Sequence, residues 1–196
     1  IKRWQTGLIQ SRAMDRALRT HLEPEDRDLA HTGGRGLSIP RIKLVLTALE
    51  ARLGKRLLEK NDRMLYAAKY LWYADMLAFA RLKRGMTGAT YAALPHGPQL
   101  NNYRDLLEEI RGADVSRAEP LGEEEEGILQ QIADAFPRER MAYEAAHRER
   151  VFEETPVGAL ISYLRARELE GVGLSSVGRK TEPRGIDRGS SGGRPR

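Results

Sequence analysis

Residues 69–98 read KYLWYADMLAFARLKRGMTGATYAALPHGP, an apolar run that passes at once into a stretch of turn formers. The first half predicts a helix from Asp62 to about Arg84 whose apolar residues surround the axis, the pattern of a central element buried on most faces. Positions 64, 68, 71, 75, 78 and 82 form one stripe reading Met, Ala, Leu, Asp, Ala, Leu, so Asp75 projects from an otherwise apolar face. In the second half, Gly88 after Thr87 suits a left-handed turn. Pro95, His96, Gly97 and Pro98 make another, in which Leu94 and Gly97 precede prolines and are pushed out of the α region. Ala89 to Leu94 between the turns reads as a weak strand. Such a backbone has no helical ladder, so its amides need other partners. A carboxylate on an apolar face costs several kcal/mol if unpaired. We therefore expect Asp75 to tie down the 86–98 loop. The residues alone leave a second reading open, in which Asp75 reaches solvent or pairs with an arginine.

Outward from this block, helices recur. Ser38 caps a helix with Pro40 in its first turn, its apolar face being Ile42, Val45, Leu46, Leu49 and Leu53, and Gly54 stops it. Leu106, Leu107 and Ile110 mark a shorter helix ended by Gly112. Leu129, Ile132, Ala133 and Phe136 mark another, closed by Pro137. Residues 138–150 read as a polar helix, and Ser162 can cap a last one carrying Tyr163, Leu164 and Leu169. Residues 23–37 read as a flexible linker, and the Gly-, Ser- and Arg-rich residues 171–196 as a disordered tail. The expected architecture is mainly α: a compact helical domain at 61–170 with a short extended segment, a basic, partly flexible extension at 1–37, an amphipathic linking helix at 38–60, and the tail.

Charge divides the chain the same way. Of the formal net charge of +5 in 196 residues, 1–63 contribute +6, 64–170 contribute −5 and 171–196 contribute +4. No cysteine is present, which removes disulfide frameworks and thiolate chemistry and fits a reducing compartment. The longest apolar run, broken by Lys69 and Asp75, is too short and polar to span a bilayer, and no signal-peptide pattern opens the chain. A cytoplasmic location away from membranes is expected. The chain opens on Ile1, so its natural start is expected upstream.

Taken together, KYLWYADMLAFARLKRGMTGATYAALPHGPQLNNYRDLLEE resembles the signature of the Panacea domain, the SocA-like antitoxin domain. That pattern joins a K-x-L-x-[YF]-A-D helix to an [IM]-T-G-x-x-Y-x-x-L-P-[YH]-G-P loop. EPLGEEEEGILQQIADAF looks like the family's next helix, and AHRERVFEETPVGALISYLRAREL like its closing segment, with Ala146 where a serine is usual and Phe152 near the position of a common tryptophan. Onto this chain the motif carries Lys69, Trp72, Tyr73, Asp75, Thr87, Gly88, Leu94, Pro95, Gly97, Pro98, His147, Thr155, Ser162 and Tyr163. The resemblance implies an antitoxin of a toxin–antitoxin system, neutralising a cognate toxin by direct binding. One family line hands its toxin to a protease, which makes a protease a second implied partner.

The residues themselves allow two other classes. Family members often carry a DNA-binding region ahead of the domain, and Arg12, Arg16, Arg19, Arg41 and Lys43 could contact phosphates as a transcriptional regulator would. Asp75, His96 and His147 could converge on a metal as in a metal-dependent enzyme. Yet no nucleophile elbow, P-loop or H-E-x-x-H is present, and the run Glu123 to Glu126 reads as a solvated helix start. The expectation is a non-enzyme without cofactor or metal. Tyr91, His96, Gln99, Asn101, Asn102 and Tyr103 are the candidate exposed contacts, although Tyr91 and Pro98 can equally be packing residues.

Overall fold

The computed structural model describes residues 29–58 and 64–173. It is mainly helical, as the sequence predicts. Helix α1, Ile39–Leu53, begins where the Ser38 hydroxyl accepts the Arg41 amide at 3.3 Å and ends at left-handed Gly54. Its buried face is Arg41, Ile42, Val45, Leu46 and Leu49. Helix α2, Ala67–Leu82, is buried without interruption from Ala67 to Ala78, which is why its apolar residues encircle it. It starts later than the expected Asp62, because Met64 takes a positive φ of 58° that no helix continues through. Asp62 itself lies outside the described residues.

Strand β1, Tyr91–Leu94, and strand β2, Gly97–Leu100, form an antiparallel hairpin pairing Tyr91 with Leu100 and Leu94 with Gly97. The sequence reading stopped at β1 and put Gly97 and Pro98 in the turn, whereas both belong to β2, although a proline within a strand is unusual. The register explains the tolerance. Ala93, opposite Pro98, points its amide and carbonyl the other way, to Ala159 O at 2.9 Å and from Gly158 N at 2.7 Å. The proline's missing N–H therefore falls where β1 offers no acceptor. Ile161 N donates to Tyr91 O at 2.8 Å, so the 158–161 segment lines the other edge of β1.

Helices α3, Tyr103–Gly112, and α4, Glu123–Ala135, follow, with a 3₁₀ turn Val115–Arg117 between them. Then come α5, Glu139–Arg148, a single turn α6, Arg150–Glu153, and a 3₁₀ turn Tyr163–Glu168. α2 packs against α1, α4, α5 and β2. Residues of α1, α2, the hairpin, α4 and the closing segment join in one core.

Four expectations need correction. The polar helix expected through 150 breaks at Glu149 (φ −68°, ψ 125°), where the buried carboxylate turns inward. The Ser162-capped element is a short 3₁₀ turn, leaving Leu164 63% exposed while Leu169, past its end, is buried. Residues 29–37 are not a flexible linker: Leu29–Thr32 are helical and Arg35 is buried. Residues 171–173 are packed rather than disordered, Val172 being buried in the core. The rest of the expected tail and of the N-terminal extension lies outside the described residues.

Candidate functional site

The loop from Gly85 to the hairpin is gripped from several sides by buried polar groups. Asp75, fully buried on α2, accepts Thr87 N–H at Oδ1 (2.7 Å), and at Oδ2 the hydroxyls of Thr87 (2.5 Å) and Tyr91 (2.6 Å). Burial raises its pKa, and the hydrogen bonds from Thr87 and Tyr91 oppose that rise. The Tyr163 hydroxyl donates to Ala89 O at 2.6 Å, and burial pushes both Tyr91 and Tyr163 well above the ordinary phenol range.

On the opposite flank lies the segment 33–41. Gly85 N donates to Gly33 O (2.8 Å) and Ser38 N to Thr87 O (3.1 Å). Arg35 Nε donates to Gly85 O (2.9 Å) and Arg41 Nε to Met86 O (2.5 Å). Gly88, at φ 73°, lies so close beneath this strap that a Cβ would come within 2.4 Å of Gly36 O, a fit only glycine allows. Arg41 Nη2 also reaches both oxygens of the Glu125 carboxylate (2.5 and 2.6 Å), and Nη1 donates to the Glu119 and Pro120 carbonyls.

Beneath β2, the fully buried Lys69 donates Nζ–H to Pro98 O at 2.9 Å, with its ammonium 5.7 Å from the Tyr143 ring centre. His147 Nδ1 lies 2.7 Å from Tyr143 O. Both side chains crowd Gly97, where an added Cβ would sit 2.7 Å from His147 Cε1 and 2.9 Å from Lys69 Cε, at a φ of 89°. Gly97→Ala combines left-handed strain with overpacking, so it is expected to lower stability by about 2–3 kcal/mol, measured by urea unfolding.

The other motif positions are structural in kind. Trp72 and Tyr73 are buried on α2. Tyr73 OH donates to Glu149 Oε1 (2.9 Å), which also receives the amide of Gly171. Thr155 Oγ1 donates to Val151 O (2.6 Å), and Ser162 Oγ accepts Leu164 N (3.2 Å). Leu94 is half-buried and Pro95 exposed at the hairpin tip.

Of the candidate contacts, His96 and Asn102 are exposed and Asn101 and Tyr103 half-exposed. Tyr91 and Gln99 are not surface residues. Tyr91 is fully buried because its hydroxyl serves Asp75, and Gln99 is 5% exposed because β2 lies against α2 and α5. Two of the proposed phosphate contacts are likewise engaged inside the fold: Arg41 as above, and Lys43 through Nζ–H to the carbonyls of Arg111 and Ala113, both 2.7 Å. Arg12, Arg16 and Arg19 lie outside the described residues. Asp75, His96 and His147 do not form a ligand set: both Asp75 oxygens serve the loop, and His96 stands exposed at the hairpin turn. No group of His, Asp and Glu suited to a metal occurs among the described residues.

Sequence reading missed Arg35, Glu119 and Glu149, and gave Arg41 and Glu125 other roles, a phosphate contact and part of a solvated acidic run. For the last two a signal existed. Arg41 shares a helical stripe with Val45 and Leu49, and Glu125 with Leu129 and Ile132, so Glu125 belongs to the buried face and not to a solvated acidic run.

Apolar side chains also reach the surface beside the hairpin. Val157 is 77% exposed and Leu160 39%, on the segment that lines β1. No described helix is long and apolar enough to cross a membrane.

Neither curated proteins nor solved structures gave a match to this chain. A protein-family model does match, and its span contains Lys69, Asp75, the whole hairpin, Glu149 and Thr155. Residues 68–155 match the family model described as antitoxin SocA-like, Panacea domain, the family whose signature the sequence resembles.

Proposed function

We propose that this chain is the antitoxin of a toxin–antitoxin pair and neutralises its toxin by direct protein binding at the hairpin end of the domain. The observation that carries the reading is the family match over 68–155. The geometry supports it: a turn-rich segment held by Asp75, Arg35, Arg41 and Lys69 is ordered before any partner arrives, which lowers the entropic cost of docking. Exposed His96 stands at its tip, the apolar Val157 and Leu160 lie along the outer side of β1, and exposed Asn102 and half-exposed Tyr103 follow the far end of β2, an aromatic and apolar set suited to a protein interface. No chemistry of its own is needed. Sequestration acts through occupancy, in a cytoplasm shared with the toxin.

The test is co-expression with the product of the neighbouring reading frame. That product alone should arrest growth, and this chain should relieve the arrest and co-purify with it. A His96→Glu/Val157→Glu double variant should stay folded, read by circular dichroism, yet lose rescue. Rescue accompanied by a fall in toxin level that requires a cellular protease would mark delivery for degradation in place of occlusion. Absence of any binding to that product would sink the proposal.

A further inference from the structure

Lys69 is a buried amine with no carboxylate partner among the described residues. The groups that approach it come from β2 and α5. From β2 it meets the Pro98 carbonyl at 2.9 Å, with Gln99 next in the strand. From α5 it meets the Tyr143 ring, and it shares the space over Gly97 with the His147 ring. On α2, Tyr70 donates to Phe136 O and Tyr73 to Glu149. Glu149 is further occupied by the amides of Glu170 and Gly171. On the outer side of α5, Glu144 pairs with Arg140, and Arg148 is exposed. His96 faces solvent at the tip. No carboxylate among the described residues bonds to Lys69.

His147 adds no help. Its Nδ1 lies 2.7 Å from Tyr143 O, and its buried Nε2 has no hydrogen-bond partner among the described residues, Lys69 included. The Gln99 Nε2 group is buried without a partner as well. A protonated Lys69 would thus bring three N–H donors to a place that supplies one carbonyl, whereas a neutral amine needs little more than that carbonyl.

We propose that the hairpin is a proton-sensitive latch, closed over Lys69 and His147 while the Lys69 amine is neutral and loosened when it takes up a proton. Burial lowers the Lys69 pKa to about 7, while a solvated lysine titrates near 10.4. The sign follows. Between these values the opened form holds the extra proton and the closed form does not, so opening is favoured as pH falls toward 7 and levels off below it. The latch is a property of the isolated chain and does not rest on the antitoxin reading.

Hydrogen exchange of the hairpin amides, corrected for intrinsic rates and compared with α2 amides, tests it on the full chain. The hairpin opening constant should rise about tenfold per pH unit as pH is lowered from about 9 to about 7, with α2 unchanged. In Lys69→Met the slope should vanish. Because that variant can fail to fold, the Lys69 side-chain resonances of the unaltered chain give a second readout: a midpoint about 7 supports the latch, and one near 10 overturns it. Hairpin exchange independent of pH would overturn it too.

Discussion

Asp75→Ala is expected to destabilise the fold by about 3–5 kcal/mol and to free the loop around Thr87, seen as lost exchange protection at the Thr87 and Ala89 amides. The argument is one of stranded donors. Removing the carboxylate leaves Thr87 N–H and the Thr87 and Tyr91 hydroxyls without acceptors inside a fully buried site. Ala89 N donates to Thr87 Oγ1 at 3.1 Å, so disorder at Thr87 passes along the chain. Asp75→Asn should cost less, about 1–2 kcal/mol, because its carbonyl still accepts Thr87 N–H and the two hydroxyls can turn their protons away and accept from the new NH2 group. The pair of variants also separates shape from charge. Burial raises the Asp75 pKa, so its contribution is fully present below the unfolded carboxylate value and declines as pH rises through the folded one. Asparagine removes that decline, and the stability profile of Asp75→Asn should be flatter as pH rises above the unfolded carboxylate value. If Asp75→Ala unfolded at the same urea concentration as the parent chain, Asp75 would have no role in holding the loop.

The stripe bearing Asp75 was legible because helical periodicity shows an acidic residue among apolar ones, and the glycines and prolines that follow declare turns. Other parts were written in a form that local pattern does not expose. The second strand was hidden by Pro98, whose tolerance depends on Ala93 bonding away from it toward Ala159. The strap at 33–41 was hidden by Gly33, Gly34 and Gly36, which look like linker composition, yet a Cβ at Gly33 would meet Gly85 N at 3.0 Å, and the glycine at 88 lets the Arg35 and Gly36 carbonyls come close. Arg41 and Glu125 are far apart in sequence, and each alone resembles a solvated charge. Their contact appears only when α1 lies against α4. The exposed candidates split for a similar reason. Alternation along β2 decides which side chains face α2 and α5, and without the strand Gln99 could not be assigned a side.

That same concealed contact bears on where the folding unit begins, and yields the largest effect we expect. A chain cut to 61–170, the span that the sequence reading treats as the domain, should not fold, while 29–173 should unfold cooperatively. Ile42, Val45, Leu46 and Leu49 of α1 are at most 1% exposed and sit in the same core as Tyr70, Leu71, Leu129 and Ile132. At about 1.5–3 kcal/mol for each fully buried aliphatic side chain, their loss removes roughly 6–12 kcal/mol, comparable to the whole stability of an ordinary domain, about 5–15 kcal/mol. The loss goes beyond apolar area. Without Arg41, Glu125 keeps a half-buried carboxylate that has lost its guanidinium partner, and without Arg35, Arg41 and Ser38 the Gly85, Met86 and Thr87 carbonyls lose their donors. At the other end, Glu149 would lose the Gly171 amide and the core would lose Val172. Circular dichroism and urea titration of the two fragments decide the matter. A cooperative transition in 61–170 would show that α1 is an appendage, whereas an unstructured 61–170 beside a two-state 29–173 would make α1 and its arginines part of the surface-forming unit itself, with the loop at 85–88 held between Asp75 on one side and the 33–41 strap on the other.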